Sequence, residues 1–186
     1  GYLELRENTG GNGASAYTAS LDNDAAYLEL ESQLTGTVRA TAGLRWEQAT
    51  QGVNPRNLFQ GGSTLPGNTL DNDYLLPALS LTWNFADNLQ LRLAASQTIA
   101  RPQFRELAPQ LYQDFESDRL FFGNPFLVDS ELTNLDLRYE WFFDAGEYFT
   151  AGLFHKTIDK PVEAVVGDFG GNQLFQGFLN APEATL

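Results

Sequence analysis

Apolar and polar residues alternate with period two along most of this chain, the mark of strands with one greasy and one wet side. Thr37–Glu47 is the cleanest stretch. Val38, Ala40, Ala42, Leu44 and Trp46 share one parity; Thr37, Arg39, Thr41, Gly43, Arg45 and Glu47 share the other. In Ala26–Leu34, Leu28, Leu30 and Leu34 oppose Tyr27, Glu29, Glu31 and Gln33. In Tyr74–Phe85, Leu75, Pro77, Leu79, Leu81, Trp83 and Phe85 oppose Tyr74, Ser80, Thr82 and Asn84. Leu89–Ile99 sets Leu89, Leu91, Leu93, Ala95 and Ile99 against Gln90, Arg92, Ser96 and Thr98, with Gln97 as a blemish. Asn134–Phe143 sets Leu135, Leu137, Tyr139, Trp141 and Phe143 against Asn134, Asp136, Arg138 and Glu140. Tyr2–Arg6 repeats the pattern briefly, and Tyr148–Lys160 is strand-like with an ambiguous facing that favours Lys156 on the polar side. The expectation is seven strands, with a stub beginning within Asn180–Leu186.

The connections alternate between short and long. Leu34–Thr37, Phe85–Asn88 and Phe143–Glu147 are tight, whereas Asn8–Asn23, Thr50–Asp73, Ala100–Ser130 and Glu163–Asn180 are long and polar. An antiparallel up-and-down meander with one plain and one elaborated rim follows. Compact soluble domains seldom carry several structureless loops of that size, while outer-membrane barrels pair short periplasmic turns with long external loops. A tilted strand crosses the hydrocarbon in about 9–11 residues, the length of Thr37–Glu47 or Leu89–Ile99. Trp46, Trp83, Phe85, Trp141 and Phe143 lie near strand ends on the apolar parity, as an interfacial girdle requires. Arg39, Arg45, Arg92 and Arg138 share the polar parity; turned to a lumen, each avoids about 2–4 kcal/mol of lipid-facing penalty. A soluble β-sandwich buries the same apolar faces and stays open at this point.

Composition narrows the choice. Eleven Lys and Arg against 24 Asp and Glu give a net charge of −13, which excludes a nucleic-acid partner and a polybasic anchor on anionic lipid. Hydrophobic content of 42% with 14 Phe is too high for a disordered acidic tail. The chain has no Cys, so no disulfide framework or thiolate metal site. With no Met and no signal-like N-terminus, it is expected to be a section of a longer protein.

Ser96–Pro109 reads SQTIARPQFRELAP and follows LQLRLAA. This resembles the barrel of TonB-dependent outer-membrane receptors, where an LxLRxxxS strand runs into an xARPxFxxLxP segment. Gly123-Asn124-Pro125 resembles the family's GNPxL element, and Leu135–Phe142 its DLxxEYY-like strand. Leu153–Ile158 resembles LFYKxI, with His155 in place of the usual Tyr, and Ala42–Glu47 resembles AGLRYE. The match spans Asp24–Pro161. It implies a barrel of about 22 strands, a plug domain and energy supplied by TonB. The chain departs from that pattern in showing no plug domain, no TonB box and no barrel-closing strand.

Candidate chemistry is sparse. Leu21-Asp22-Asn23-Asp24 and Leu70-Asp71-Asn72-Asp73 repeat the same letters, but lack the Gly and distal Glu of a calcium loop and read as polar rim. Asp114, Glu116 and Asp118 read as a solvated acidic loop, and His155, the lone His, supports no multi-His metal site. Gly10–Gly13 and Gly170–Asn172 lack the context of a phosphate loop. No nucleophile–base pair stands out, so neither catalysis nor a cofactor is expected. Arg101 sits above a strand on the lumen side, and Pro102 ends its ladder pairing, which favours a structural role over ligand contact. Tyr112, Phe115, Phe121 and Phe122 are the better ligand candidates, because loop aromatics above a polar lumen can stack on sugars or aromatic chelators.

The expected molecule is all-β: residues 1–186 as part of a TonB-dependent receptor barrel in the outer membrane, non-enzymatic. Its partners would be outer-membrane lipid, TonB through the plug of the parent receptor, and an imported siderophore, cobalamin or oligosaccharide. A small structural or adhesive outer-membrane barrel and a soluble carbohydrate-binding β-sandwich are the alternatives.

Overall fold

The computed structural model describes residues 16–56, 66–114, 119–144, 146–168 and 174–186. Six long strands follow the alternating stretches: β1 (Ala16–Gln33), β2 (Val38–Arg56), β3 (Asn68–Ala86), β4 (Leu89–Ala100), β7 (Ser130–Asp144) and β8 (Glu147–Asp159). With β11 (Glu183–Thr185), the expected stub, they form a seven-stranded sheet ordered β1-β2-β3-β4-β7-β8-β11. Every pairing in it is antiparallel, and the sheet is not closed. Tyr2–Arg6 lies outside the described residues.

The register aligns the parities across the sheet. Leu81, Leu93, Leu137 and Leu153 face one another on neighbouring strands, as do Thr82, Arg92, Arg138 and Gly152. One face is therefore continuously apolar. Leu28, Leu44, Leu79, Leu93, Leu135 and Leu153 stand between 44 and 73% exposed on it, with no described element packed over them. Among the described residues nothing plays the part of the second sheet of a sandwich over this face. On β8 the pairing of Leu135 with His155 places His155 on this apolar face, and Lys156 opposite Asn134 on the polar one. Trp83, Phe85, Trp141, Phe143 and Phe149 gather at the short-turn rim, with Trp83–Phe85 and Trp141–Phe143 ring centroids 5.4 and 5.1 Å apart. Trp46 alone of the expected girdle stands towards the other rim, opposite Ala26 and Leu75.

The described parts of two of the expected long loops include strand at 16–23, 50–56 and 68–73. β1 has 18 residues, and β2 and β3 have 19 each, well beyond the roughly 9–11 that cross hydrocarbon. The reason lies in a reversal of the pattern. Above Trp46, the parity that was apolar carries Gln48 and Thr50, while the parity that was polar carries Ala49 and Val53, both at most 3% exposed. On β1 and β3 the same reversal turns Asp22, Asp24, Asp71 and Asp73 to the face on which Leu28 and Leu79 lie, and Leu21 and Leu70 to the other. Thr50 sits between Asp22 and Asp71 in register and donates its hydroxyl to Asp71 at 3.2 Å. Among the described residues no group of His, Cys, Asp and Glu is arranged to hold a metal, and no helix is long and apolar enough to cross a membrane.

Ala100–Ser130 and Glu163–Asn180 also carry structure rather than bare loop. The first holds a one-turn helix α1 (Phe104–Leu107) and the short strands β5 (Leu111–Asp114) and β6 (Arg119–Phe122); the second is the hairpin of β9 (Val162–Asp168) and β10 (Leu174–Asn180). They join as a four-stranded sheet ordered β5-β6-β10-β9. The small core lies where this unit meets the polar face of the large sheet. Val53, Leu107, Ala108 and Leu127 are at most 1% exposed, with Tyr17, Leu70, Phe104, Val162 and Phe178 against them.

Candidate functional site

Residues 101–114 and 119–129 form a strap that leaves β4, lies on the polar face at the upper end of β1–β3 and returns to β7. Four sets of contacts fasten it. Arg101 pairs with Glu47 at 2.7 Å, and Arg45 holds the same carboxylate at 2.7 Å. Gln51 donates its side-chain amide to the Pro102 carbonyl at 2.8 Å. Asn68 donates to the carbonyl of Pro125. Tyr74 and Asn72 both donate to one oxygen of Asp129, at 3.0 and 3.1 Å. Glu47, Gln51 and Asp129 are each at most 6% exposed, so these contacts are sheltered from water and from salt screening.

The strap's own geometry suits the docking. The backbone N–H of Gln103 donates to the Glu106 carboxylate at 2.8 Å, capping α1 and presenting Leu107 to the core. Gly123 passes so close to Ala108 that a Cβ there would collide with the Ala108 carbonyl. Asn124 then opens a tight turn: its side-chain oxygen accepts the Phe126 N–H at 2.9 Å, and its amide donates to the Phe178 carbonyl at 2.9 Å. Asn180 clamps the far side, accepting the Val128 N–H and donating to the Val128 and Lys160 carbonyls at 2.9, 3.0 and 2.7 Å. Lys160 turns the corner out of β8 with φ 52°, a left-handed geometry costly for a side chain with a Cβ. The clamp on its carbonyl holds that corner in place.

The sequence-derived candidates separate into groups. Arg101 is committed to Glu47, so its charge fastens the strap. Tyr112 stacks on Phe121 at 5.3 Å and 10° between planes, and Phe121 stacks on Phe178 at 6.0 Å and 15°. Phe122 meets Phe175 edge-on at 6.2 Å. Phe115 lies outside the described residues. Glu47, Gln51, Asn68, Tyr74, Asn124, Asp129 and Asn180 escaped the sequence reading. Asn124 and Glu47 had a signal, their places in the Gly-Asn-Pro element and at the end of the Ala42–Glu47 element.

Lower on the polar face, charges alternate in short ladders. Arg92 and Arg138 stand opposite each other, and both reach Glu140, at 3.1 and 2.8 Å. Arg39 reaches Glu31 at 3.6 Å. This face can line a wet path and hold no net cation field.

A greasy outer face, a wet inner face and a strap returning over the inner one describe a section of barrel wall with its external mouth. The sequence profile described as TonB dependent receptor-like, beta-barrel matches residues 3–186. The chain belongs to the TonB-dependent receptor family. Its apolar face is thus the lipid face, its polar face the lumen, and its location the outer membrane; the family is non-enzymatic. Solved structures agree on the fold. A double mutant of the Serratia marcescens hemophore receptor HasR, in complex with HasA and heme, superposes with TM-score 0.66 at 14% identity, over 93% of this chain and 31% of that one. The siderophore receptor PirA from Pseudomonas aeruginosa superposes at 0.52 and 17%, over 90% and 38%. A mutant of the ferric enterobactin receptor PfeA from the same organism, in complex with enterobactin, gives 0.53 and 16%, over 90% and 32%. The chain spans about a third of the length of these receptors. A search of curated proteins returns no match.

Proposed function

We propose that this chain is part of a receptor that carries an iron-bearing ligand, of the heme or siderophore kind, across the outer membrane with energy from TonB. TonB would act through the plug of the complete receptor. The observation that carries the reading is the strap: a family-specific segment docked on the lumen face by the buried Glu47–Arg101 pair, where it shapes the mouth above the polar path. Structural relatives that bind heme or enterobactin support the choice of cargo over cobalamin or oligosaccharide. Tyr112, Phe121 and Phe122 belong to this mouth, and their half-exposed rings are candidate ligand contacts. Arg101 is a positioning residue.

The test is uptake. Cells expressing the full receptor in iron-poor medium are expected to take up labelled iron from heme or from a ferric siderophore, and to lose that uptake when TonB is deleted. Uptake of cobalamin or an oligosaccharide alone would overturn the cargo assignment. Equal iron uptake with and without TonB would overturn the transport reading.

A further inference from the structure

Phe126 is 87% exposed, the most exposed of the large apolar side chains among the described residues of the strap, although its neighbour Leu127 is fully buried. Its position is fixed. It occupies the tight turn Asn124–Leu127, in which the Leu127 N–H reaches the Asn124 carbonyl at 3.4 Å and Asn124 caps the Phe126 N–H. Pro125 presets the turn, because its ring locks φ and lowers the entropy lost on ordering. The turn is also fastened on both sides, to β3 through Asn68 and to β10 through the Phe178 carbonyl. Leu127 holds it from beneath, in the core with Val53 and Leu107. A rigid turn that spends so many contacts to present one apolar ring is built like a binding anchor: the ordering cost is met before a ligand arrives.

The chemistry of the turn restricts what the anchor can take. Residues 123–128 are Gly, Asn, Pro, Phe, Leu and Val, with no charge among them. Asn124, Pro125 and Val128 already commit polar atoms to the scaffold. What remains for recognition is the face and edge of the Phe126 ring, which suits a flat conjugated surface. We propose that Phe126 is a ligand-contacting, specificity-determining residue of this receptor and stacks on a flat π face of the imported molecule. The inference rests on the receptor reading and deepens it.

The test uses the full-length receptor in detergent with three probes: iron protoporphyrin, a ferric tris-catecholate, and a ferric tris-hydroxamate that lacks a π face. Phe126→Ala is expected to weaken binding of whichever flat probe the wild type takes by about tenfold or more. Phe126→Trp should keep the affinity and report binding by quenching of its new indole. The two flat probes tell porphyrin from catecholate. In a background free of other cysteines, Phe126→Cys should react quickly with a maleimide when the receptor is empty and slowly when the flat probe is bound. Unchanged affinity in Phe126→Ala, or preference of the wild type for the hydroxamate, overturns the inference while leaving the receptor reading standing. Slow maleimide reaction in the empty receptor also overturns it, because the ring would then be packed against the rest of the protein. A wild type that binds no probe and supports no uptake brings down the receptor reading itself.

Discussion

The lower and upper halves of the same strands obey opposite rules. Between the short turns and Trp46, β2 turns Val38, Ala40, Ala42 and Leu44 outwards and Arg39 and Arg45 inwards. Above Trp46 it turns Gln48 and Thr50 outwards and Ala49 and Val53 inwards. The backbone pleat and register continue unbroken; only the solvent on each side has changed. Below, lipid lies outside and water inside. Above, water lies outside and a docked strap inside. Side-chain polarity therefore reports the surroundings of each face at each height, while strand geometry is indifferent to them.

Five substitutions break or sharpen that contrast. The largest effect is expected at the strap's root. Glu47→Ala leaves Arg101 sheltered without its carboxylate, which costs about 3–5 kcal/mol when a buried pair is broken from one side. Hydrogen exchange across residues 102–110 of the full receptor should rise while the lower strands stay protected. An unchanged exchange pattern would mean that the pair does not hold the strap. Next comes Leu137→Arg, which puts a charge in the lipid band and should cost about 2–4 kcal/mol in refolding into bilayers. Ser80→Arg, on the lumen face at similar height, should cost far less; equal costs would refute the assigned facing. Smaller still is Asn180→Ala, which loses contacts worth about 0.5–1.5 kcal/mol each. Protease nicking between Gly123 and Asp129 is the measurement, with little change in heat-modifiable mobility of the barrel. The smallest belongs to Glu31→Gln. Its ion pair with Arg39 is more than half exposed on both sides, so about 0–1 kcal/mol is expected. A larger loss in denaturant titration would show that the lower lumen is drier than this sheet implies.

Much of this was legible in the residues. The long strands and the tight turns follow from two-residue periodicity, which needs no distant partner, whereas periodicity left the facing of β8 ambiguous and the register with Asn134 put Lys156 on the polar side. Arg101 reads as structural because Pro102 cannot continue a ladder, and it pairs with Glu47 at 2.7 Å. The upper strands were misread as loops for a physical reason. Residues 16–23, 50–56 and 68–73 are polar because their outward face meets water, and their inward apolar residues, such as Leu21, Val53 and Leu70, are too thinly spread to announce a strand by themselves. The Asp-Asn-Asp repeats belong to the same reversal: their aspartates are the outward, wet positions just above the greasy band.

By itself, then, the sequence determined a meander with one apolar face and a family-specific segment between β4 and β7. Each of those signals is carried by neighbours along the chain. Only the tertiary structure decided where that segment goes, since its fastenings join Gln51 to Pro102, 51 positions apart, and Asn72 to Asp129, 57 apart. A single polar residue carries no mark of the partner it will meet at such a distance. The same holds for Phe126 and Leu127. Both are large apolar residues in the sequence, and only the packing of the strap against Val53 buries one and leaves the other exposed.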